Sequence, residues 1–294
     1  MTFPRWRYAG WIARNTDHER IGGGKHEQRQ KWLRKFEQRY KWKLWAKILA
    51  LNCQRMPQLI LIRHGESEWN RDNRFTGWAD VGLTEHGRAQ MYDAGVLLRR
   101  EGITIDLAFT SVLSRCISSQ WALLEGMGRV WVPVVLDWRL NERHYGALTG
   151  LSKTAAIDTY GADAVHRWRR SFDVPPPLRT GEGADYCVID ERYAHLQPGD
   201  IPQGESLAQV VDRVRPVWEH SIADALRSGK RVAVTAHGNS LRALMKLIEH
   251  IADSDIVRLE VPNAVPIVFE LDKELKVVRR SCLGRVAASP SEIL

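Results

Sequence analysis

Two short apolar runs in this chain each end in a histidine. Leu59-Ile60-Leu61-Ile62 leads into Arg63-His64-Gly65-Glu66, and Val232-Ala233-Val234-Thr235-Ala236 leads into His237-Gly238-Asn239. Apolar runs of this length suit strands buried on both faces, as in parallel sheets. In open α/β sheets, ligands bind beyond the carboxyl ends of the strands. The chain must therefore fold so that two histidines and an arginine emerge where ligands sit. Those residue types suit phosphoryl transfer. Imidazole is a nucleophile near neutral pH, guanidinium holds phosphate oxygens in a planar fork, and glycine lets backbone approach an anion.

The remaining pattern alternates strand and helix. Strands are predicted over Leu59–Ile62, Ile105–Thr110, Trp131–Leu136, Arg231–Ala236, Val265–Leu271 and Leu275–Arg279, the last two joined by a turn at Asp272-Lys273-Glu274. Helices are predicted from Thr84 as cap to about Arg100, closed by Gly102, and from about Leu113 to Gly126. Further helices cover 152–170 with a break at Gly161, Leu207–Arg227 with a kink or early turn at Pro216, and Ser240–His250. Residues 174–205 are rich in Pro and Gly and read as irregular. The expected fold is α/β, a three-layer sandwich with a mostly parallel central sheet flanked by helices.

The chain has 294 residues, 44% of them hydrophobic, which suffices for a sizeable core. No run approaches the roughly 20 apolar residues of a membrane span. Cys53, Cys116, Cys187 and Cys282 lack metal-ligand spacing and read as reduced thiols of a cytoplasmic protein. The net charge of +8 resides in residues 1–57, which hold 14 Lys/Arg and 4 Asp/Glu; the remainder holds 29 and 31. Nucleic-acid binding is therefore not indicated for the main body. Residues 1–57 form a basic extension with five tryptophans. From Lys31 to Ala50, Leu33, Phe36, Tyr40, Leu44 and Ile48 recur at helical spacing among lysines and arginines. Such a helix suits an anionic membrane or a nucleic acid. The competing reading is a dispensable extension, because Met56 stands where a compact α/β domain would begin. The expected division is extension 1–57, catalytic domain 58–284 and short tail 285–294.

Basic and small polar residues gather in the register of the two histidines. Asn70, Thr76 and Gly77 lie in the loop after the first strand. Arg115 begins a helix that follows Thr110-Ser111, and Glu142-Arg143-His144-Tyr145-Gly146 follows the third strand. Ser240 is placed to cap the helix after His237, so that backbone N–H groups there would face an anion.

Leu61-Ile62-Arg63-His64-Gly65-Glu66-Ser67-Glu68-Trp69-Asn70 resembles the signature of the histidine phosphatase superfamily. Within it, Asn73-Arg74-Phe75-Thr76-Gly77-Trp78, Leu140–Leu148, Trp168-Arg169-Arg170-Ser171-Phe172 and Ala236–Arg242 resemble the cofactor-dependent phosphoglycerate mutases. The likeness spans Gln58 to Gly284. It implies that His64 becomes phosphorylated, that Arg63, Arg115 and His237 surround the phosphoryl group, and that Glu142 is the general acid/base. It places Ser67, Asn70, Thr76, Gly77, Arg143, Tyr145, Lys153, Arg169, Arg170, Gly238 and Asn239 in contact with substrate. The implied reaction interconverts 3-phosphoglycerate and 2-phosphoglycerate in glycolysis and gluconeogenesis, with 2,3-bisphosphoglycerate as cofactor and no metal. The implied partner is a phosphorylated three-carbon acid, and the implied assembly a homodimer or homotetramer. Two rivals stand beside this reading. One is a phosphatase of the same superfamily, in which water accepts the phosphoryl group. The other is a non-catalytic binder of membrane or RNA acting through the basic extension.

Overall fold

A computed structural model describes residues 56–179 and 190–284. The chain divides after Arg55, and the second unit alone is considered below. The expectations for the basic extension, Cys53, Cys187 and the tail 285–294 lie outside the described residues.

Six strands form one sheet: β1 (Gln58–Arg63), β2 (Leu107–Thr110), β3 (Val134–Leu136), β4 (Val232–Ala236), β5 (Ile267–Leu271) and β6 (Val277–Cys282). Their spatial order is β3-β2-β4-β1-β5-β6. The β1–β4, β2–β4 and β2–β3 pairs are parallel, whereas β5 runs antiparallel to both neighbours. This is the expected three-layer α/β sandwich. The unbroken apolar character of β1 follows from its position. Leu59 and Leu61 join the core on one face, and Ile60 and Ile62 join the core on the other.

Helices α1 (Glu68–Arg71), α2 (Glu85–Arg100), α3 (Ser114–Met127), α4 (Lys153–Tyr160), α5 (Ala162–Arg170), α6 (Leu207–Val217), α7 (Ala223–Arg227), α8 (Gly238–Glu249) and α9 (Asp253–Ile256) follow in chain order. Met91, Ala94 and Leu98 of α2 pack with Leu123 and Met127 of α3 over one sheet face. Val210 and Val214 of α6, Leu226 of α7 and Leu241, Leu244 and Ile248 of α8 cover the other. Thr84 caps α2 as expected, its side chain accepting from the Gly87 N–H at 2.9 Å.

Several boundaries differ from the sequence reading, each for a local reason. β3 begins only at Val134, because Arg129–Trp131 turn out of α3 and Pro133 has no N–H for the ladder. β2 begins at Leu107, since the N–H groups of Asp106 and Leu107 converge on the one Arg231 carbonyl and the regular ladder starts only after it. β6 begins at Val277, because the turn extends to Lys276, with Leu275 left-handed at φ 63°. The kink expected at Pro216 takes the form of a π turn, Trp218–Ile222, between α6 and α7. Gly161, at φ 83°, separates α4 from α5 as expected.

Candidate active site

His64 follows β1 directly and His237 follows β4 directly, and β1 and β4 are parallel neighbours with Arg63 opposite Ala236. Sheet register alone brings the histidines together. Their rings meet edge to face at 5.0 Å between centroids. The His64 backbone is pinned by its N–H to the Ala236 carbonyl at 3.0 Å.

His64 is buried, and its Nδ1 lies 2.6 Å from the Gly65 carbonyl oxygen. A carbonyl accepts only, so Nδ1 carries the proton and donates. Nε2 keeps its lone pair and is the ring atom able to act as a nucleophile. Burial, then the charges of Arg115 and Arg63, hold the His64 pKa well below the ordinary imidazole value. The ring is therefore neutral and able to attack at neutral pH. Burial followed by Arg115, His64 and Arg63 does the same to His237. The His237 Nε2 lies 2.9 Å from the Ser111 hydroxyl and 3.3 Å from the Cys116 sulfur. Burial pushes the Cys116 thiol up to about 12, so it is no nucleophile despite its position.

Gly65 is required by the packing of its own loop. A Cβ there would lie 2.0 Å from the Gly87 carbonyl oxygen, and one on Gly87 would lie 2.0 Å from the Glu66 carbonyl oxygen. The two glycines let the post-β1 loop rest on the first turn of α2. Both positions are fixed by close backbone packing.

A cavity of about 230 Å³ opens beside His64. Of the residues expected in the site, it is lined by Arg63, His64, Asn70, Thr76, Gly77, Arg115, Glu142, Tyr145, Lys153, Arg169, Arg170, Gly238 and Asn239. His237, Ser67 and Arg143 do not line it. His237 is fully buried against the His64 ring. Ser67 is fully buried and caps α1, exchanging hydrogen bonds with Asn70. Arg143 turns away: it donates to the Trp168 carbonyl and lies over the Tyr145 ring at 5.3 Å. Both support residues that line the cavity.

Arg63 donates through Nη1 to the Val261 carbonyl, while its buried Nε has no partner among the described residues. Arg115 is buried, and its guanidinium donates to the carbonyls of Gly77 and Ala79 at 2.7 and 2.8 Å. Glu142 is held asymmetrically. Its Oε1 accepts from the Arg143 N–H at 2.8 Å, the Asn239 N–H at 3.1 Å and the Asn239 Nδ2 at 2.9 Å. With three donors on Oε1, Oε2 is the oxygen left to exchange a proton. Ser240 is not the cap of α8; it is the third residue, and its hydroxyl accepts the His237 N–H at 3.1 Å. At the start of α8, the anion that meets the Asn239 N–H is the Glu142 carboxylate. The helix N-terminus thus orients the acid/base candidate.

Sequence reasoning missed residues that hold these groups. Arg74 and Arg242 line the cavity. Arg242 donates to Asn239 Oδ1 at 2.5 Å, which turns the Asn239 amide so that Nδ2 faces Glu142 and Tyr145. Glu205 and Arg213 form a buried ion pair at 2.7 Å. Glu205 accepts the His144 N–H, and Arg213 donates to the carbonyls of Arg139, Asn141 and Glu142. That clamp fixes the segment carrying Glu142. Its signal was faint: one acid and one arginine eight residues apart, straddling the start of a helix.

The family model of the histidine phosphatase superfamily, branch 1, matches residues 59–196 and 187–282. The chain belongs to the histidine phosphatase superfamily, branch 1. Solved structures agree on the fold. One described as "Mycobacterial hydrolase 1" is 24% identical, with TM-score 0.59, covering 79% of this chain and 100% of its own. Bacillus stearothermophilus YhfR is 23% identical, with TM-score 0.58, covering 78% and 98%. A mycobacterial glucosyl-3-phosphoglycerate phosphatase complexed with VO3 is 25% identical, with TM-score 0.56, covering 73% and 92%. Membership of the histidine phosphatase superfamily makes this an enzyme of phosphoryl transfer. No helix among the described residues is long and apolar enough to cross a membrane. Cys116 and Cys282 are free.

Proposed function

We propose that this protein is a phosphoglycerate mutase, interconverting 3-phosphoglycerate and 2-phosphoglycerate through phospho-His64. What supports this reading is the mutase-like character of Leu140–Leu148 and Trp168–Phe172, together with a surplus of cations in the cavity that suits an acidic phosphoester. Arg63 and Arg115 flank the nucleophile, yet Lys153 at the start of α4 and Arg169 and Arg170 at the end of α5 line the same cavity. A phosphoryl group alone needs only the first set. A substrate with a carboxylate as well as a phosphate uses both.

The residues divide the work as follows. His64 Nε2 attacks phosphorus as the bond to the donor oxygen breaks. Arg63 and Arg115 offset the charge spread over the equatorial oxygens, so catalysis is mainly positioning and electrostatics. Glu142 Oε2 gives a proton to the leaving oxygen. In the reverse step Glu142 takes the proton from the accepting hydroxyl, that oxygen bonds phosphorus, and the P–N bond breaks. The residues present fit 2,3-bisphosphoglycerate: among the described residues, seven cationic side chains line the cavity against two carboxylates, and the buried Arg63 Nε has no partner. When bound, this cofactor supplies the phosphoryl group that charges His64.

A second reading, phosphomonoester hydrolysis, is favoured by the relative that is 25% identical and described as a glucosyl-3-phosphoglycerate phosphatase. There water replaces the accepting hydroxyl, and Glu142 serves as its base. One assay separates the two. The protein is given 3-phosphoglycerate, with and without 2,3-bisphosphoglycerate, in the presence of a chelator, and 2-phosphoglycerate and inorganic phosphate are measured together. The mutase reading expects 2-phosphoglycerate to outpace phosphate and to depend on the bisphosphate. Phosphate release without 2-phosphoglycerate supports the hydrolase instead.

A further inference from the structure

One of the two carboxylates in this cationic cavity, Glu142, belongs to the chemistry. The other, Glu260, stands at its rim. Its Oε1 lies 2.6 Å from Arg170 Nη1, and both residues line the cavity. The Glu260 side chain is 66% exposed and that of Arg170 37%.

The backbone around Glu260 is held by two arginines, while its side chain is solvent-exposed. Val261 accepts from Arg63 at 3.1 Å, and Val257 accepts from Arg170 at 3.4 Å. The segment is therefore tied at one end to the arginine beside His64 and at the other to the arginine at the rim. Leu259 and Val261 are buried, and Glu260 between them is exposed. A solvated carboxylate on a two-methylene stem is free to leave its partner at small cost, because exposed ion pairs contribute only about 0–1 kcal/mol.

We infer that Glu260 is a specificity-determining residue, an internal carboxylate that occupies Arg170 and must be displaced by the acid group of the incoming substrate. The inference deepens the proposed reading, since it gives Arg170 a ligand with a carboxylate remote from the transferred phosphoryl group. A ligand that engages Arg170 has to break the Glu260 pair and pass its negative charge. A ligand that reaches only Arg63 and Arg115 does neither. Glu260 thus weakens binding of ligands whose second anionic group reaches Arg170, and leaves a lone phosphate beside His64 little affected.

The test measures Kd on the full chain by calorimetry for two probes, 3-phosphoglycerate and inorganic phosphate, in the parent protein and in Glu260→Gln and Glu260→Asp. Glu260→Gln keeps the shape and removes the charge. It is expected to tighten 3-phosphoglycerate about fivefold relative to any change for inorganic phosphate. That advantage should shrink between low and high salt, as screening of exposed charges requires. Glu260→Asp should restore much of the parent discrimination. Equal changes for both probes, or weaker binding of 3-phosphoglycerate by Glu260→Gln, would overturn the inference. The mutase reading fails separately, by absence of 2-phosphoglycerate in the turnover assay, whatever these binding ratios are.

Discussion

At the scale of single residues, the site is defined by which atom each side chain leaves free. The Gly65 carbonyl consumes the Nδ1 proton of His64 and frees Nε2. Three N–H groups consume Glu142 Oε1 and free Oε2. His64→Ala should therefore abolish acid-labile phosphorylation as well as turnover, and stable label elsewhere in that variant would refute the assignment. Glu142→Gln should lower kcat by about 10²–10⁴-fold with a much smaller change in KM, the mark of an interaction made in the transition state. A raised KM with unchanged kcat would make Glu142 a binding group only. Both histidines were legible from sequence, because a residue that ends a buried strand has a fixed place in an α/β sheet. The reach of Arg143 was not legible. Its position beside Glu142 says nothing of direction, and its guanidinium went to the Trp168 carbonyl and the Tyr145 ring.

At the scale of elements, the loop after β1 is held by contacts that leave no room for change. Gly65→Ala would place a methyl 2.0 Å from the Gly87 carbonyl oxygen. Relief requires moving the start of α2 away from the nucleophile loop. Urea unfolding should show a loss of about 1–3 kcal/mol, the usual cost of overpacking. An unchanged midpoint would mean that the loop and α2 are not in firm contact. The Glu205–Arg213 pair is a second such point. Glu205→Ala leaves Arg213 buried without its anion, which costs about 3–5 kcal/mol, and it releases the segment that carries Glu142. Retained stability together with retained kcat would show that the clamp is unnecessary. The strands and long helices were readable because periodicity and caps are local signals. Their ends were not, since Pro133, the shared Arg231 carbonyl and the left-handed Leu275 act through partners or turns that periodicity does not encode. The clamp was hidden for the same reason: its partners bind backbone carbonyls distant in sequence.

At the scale of the whole molecule, the site sets how stability depends on pH. Burial holds His64 and His237 well below the ordinary value of 6.5, and burial brings His144 to about 4. Below about pH 6.5 the unfolded chain takes up protons that these folded histidines do not. Their contribution to stability is therefore complete above that pH and is lost as pH falls through it. Each histidine should contribute a slope of up to about 1.4 kcal/mol per pH unit until it titrates in the folded state. Urea midpoints at pH 7.5 and 5.5 check this. A flat profile would mean that the histidines are solvated and charged, which would also undermine a neutral nucleophile. The central claim is that one buried imidazole, His64, carries the phosphoryl group between two oxygens of the same small acid. The most direct measurement is a single preparation charged with labelled 2,3-bisphosphoglycerate, isolated, and mixed with unlabelled 3-phosphoglycerate. Label is predicted to appear on His64 first, then in bisphosphoglycerate and 2-phosphoglycerate ahead of inorganic phosphate. Label that never reaches His64, or that passes from it only to water, would contradict the account.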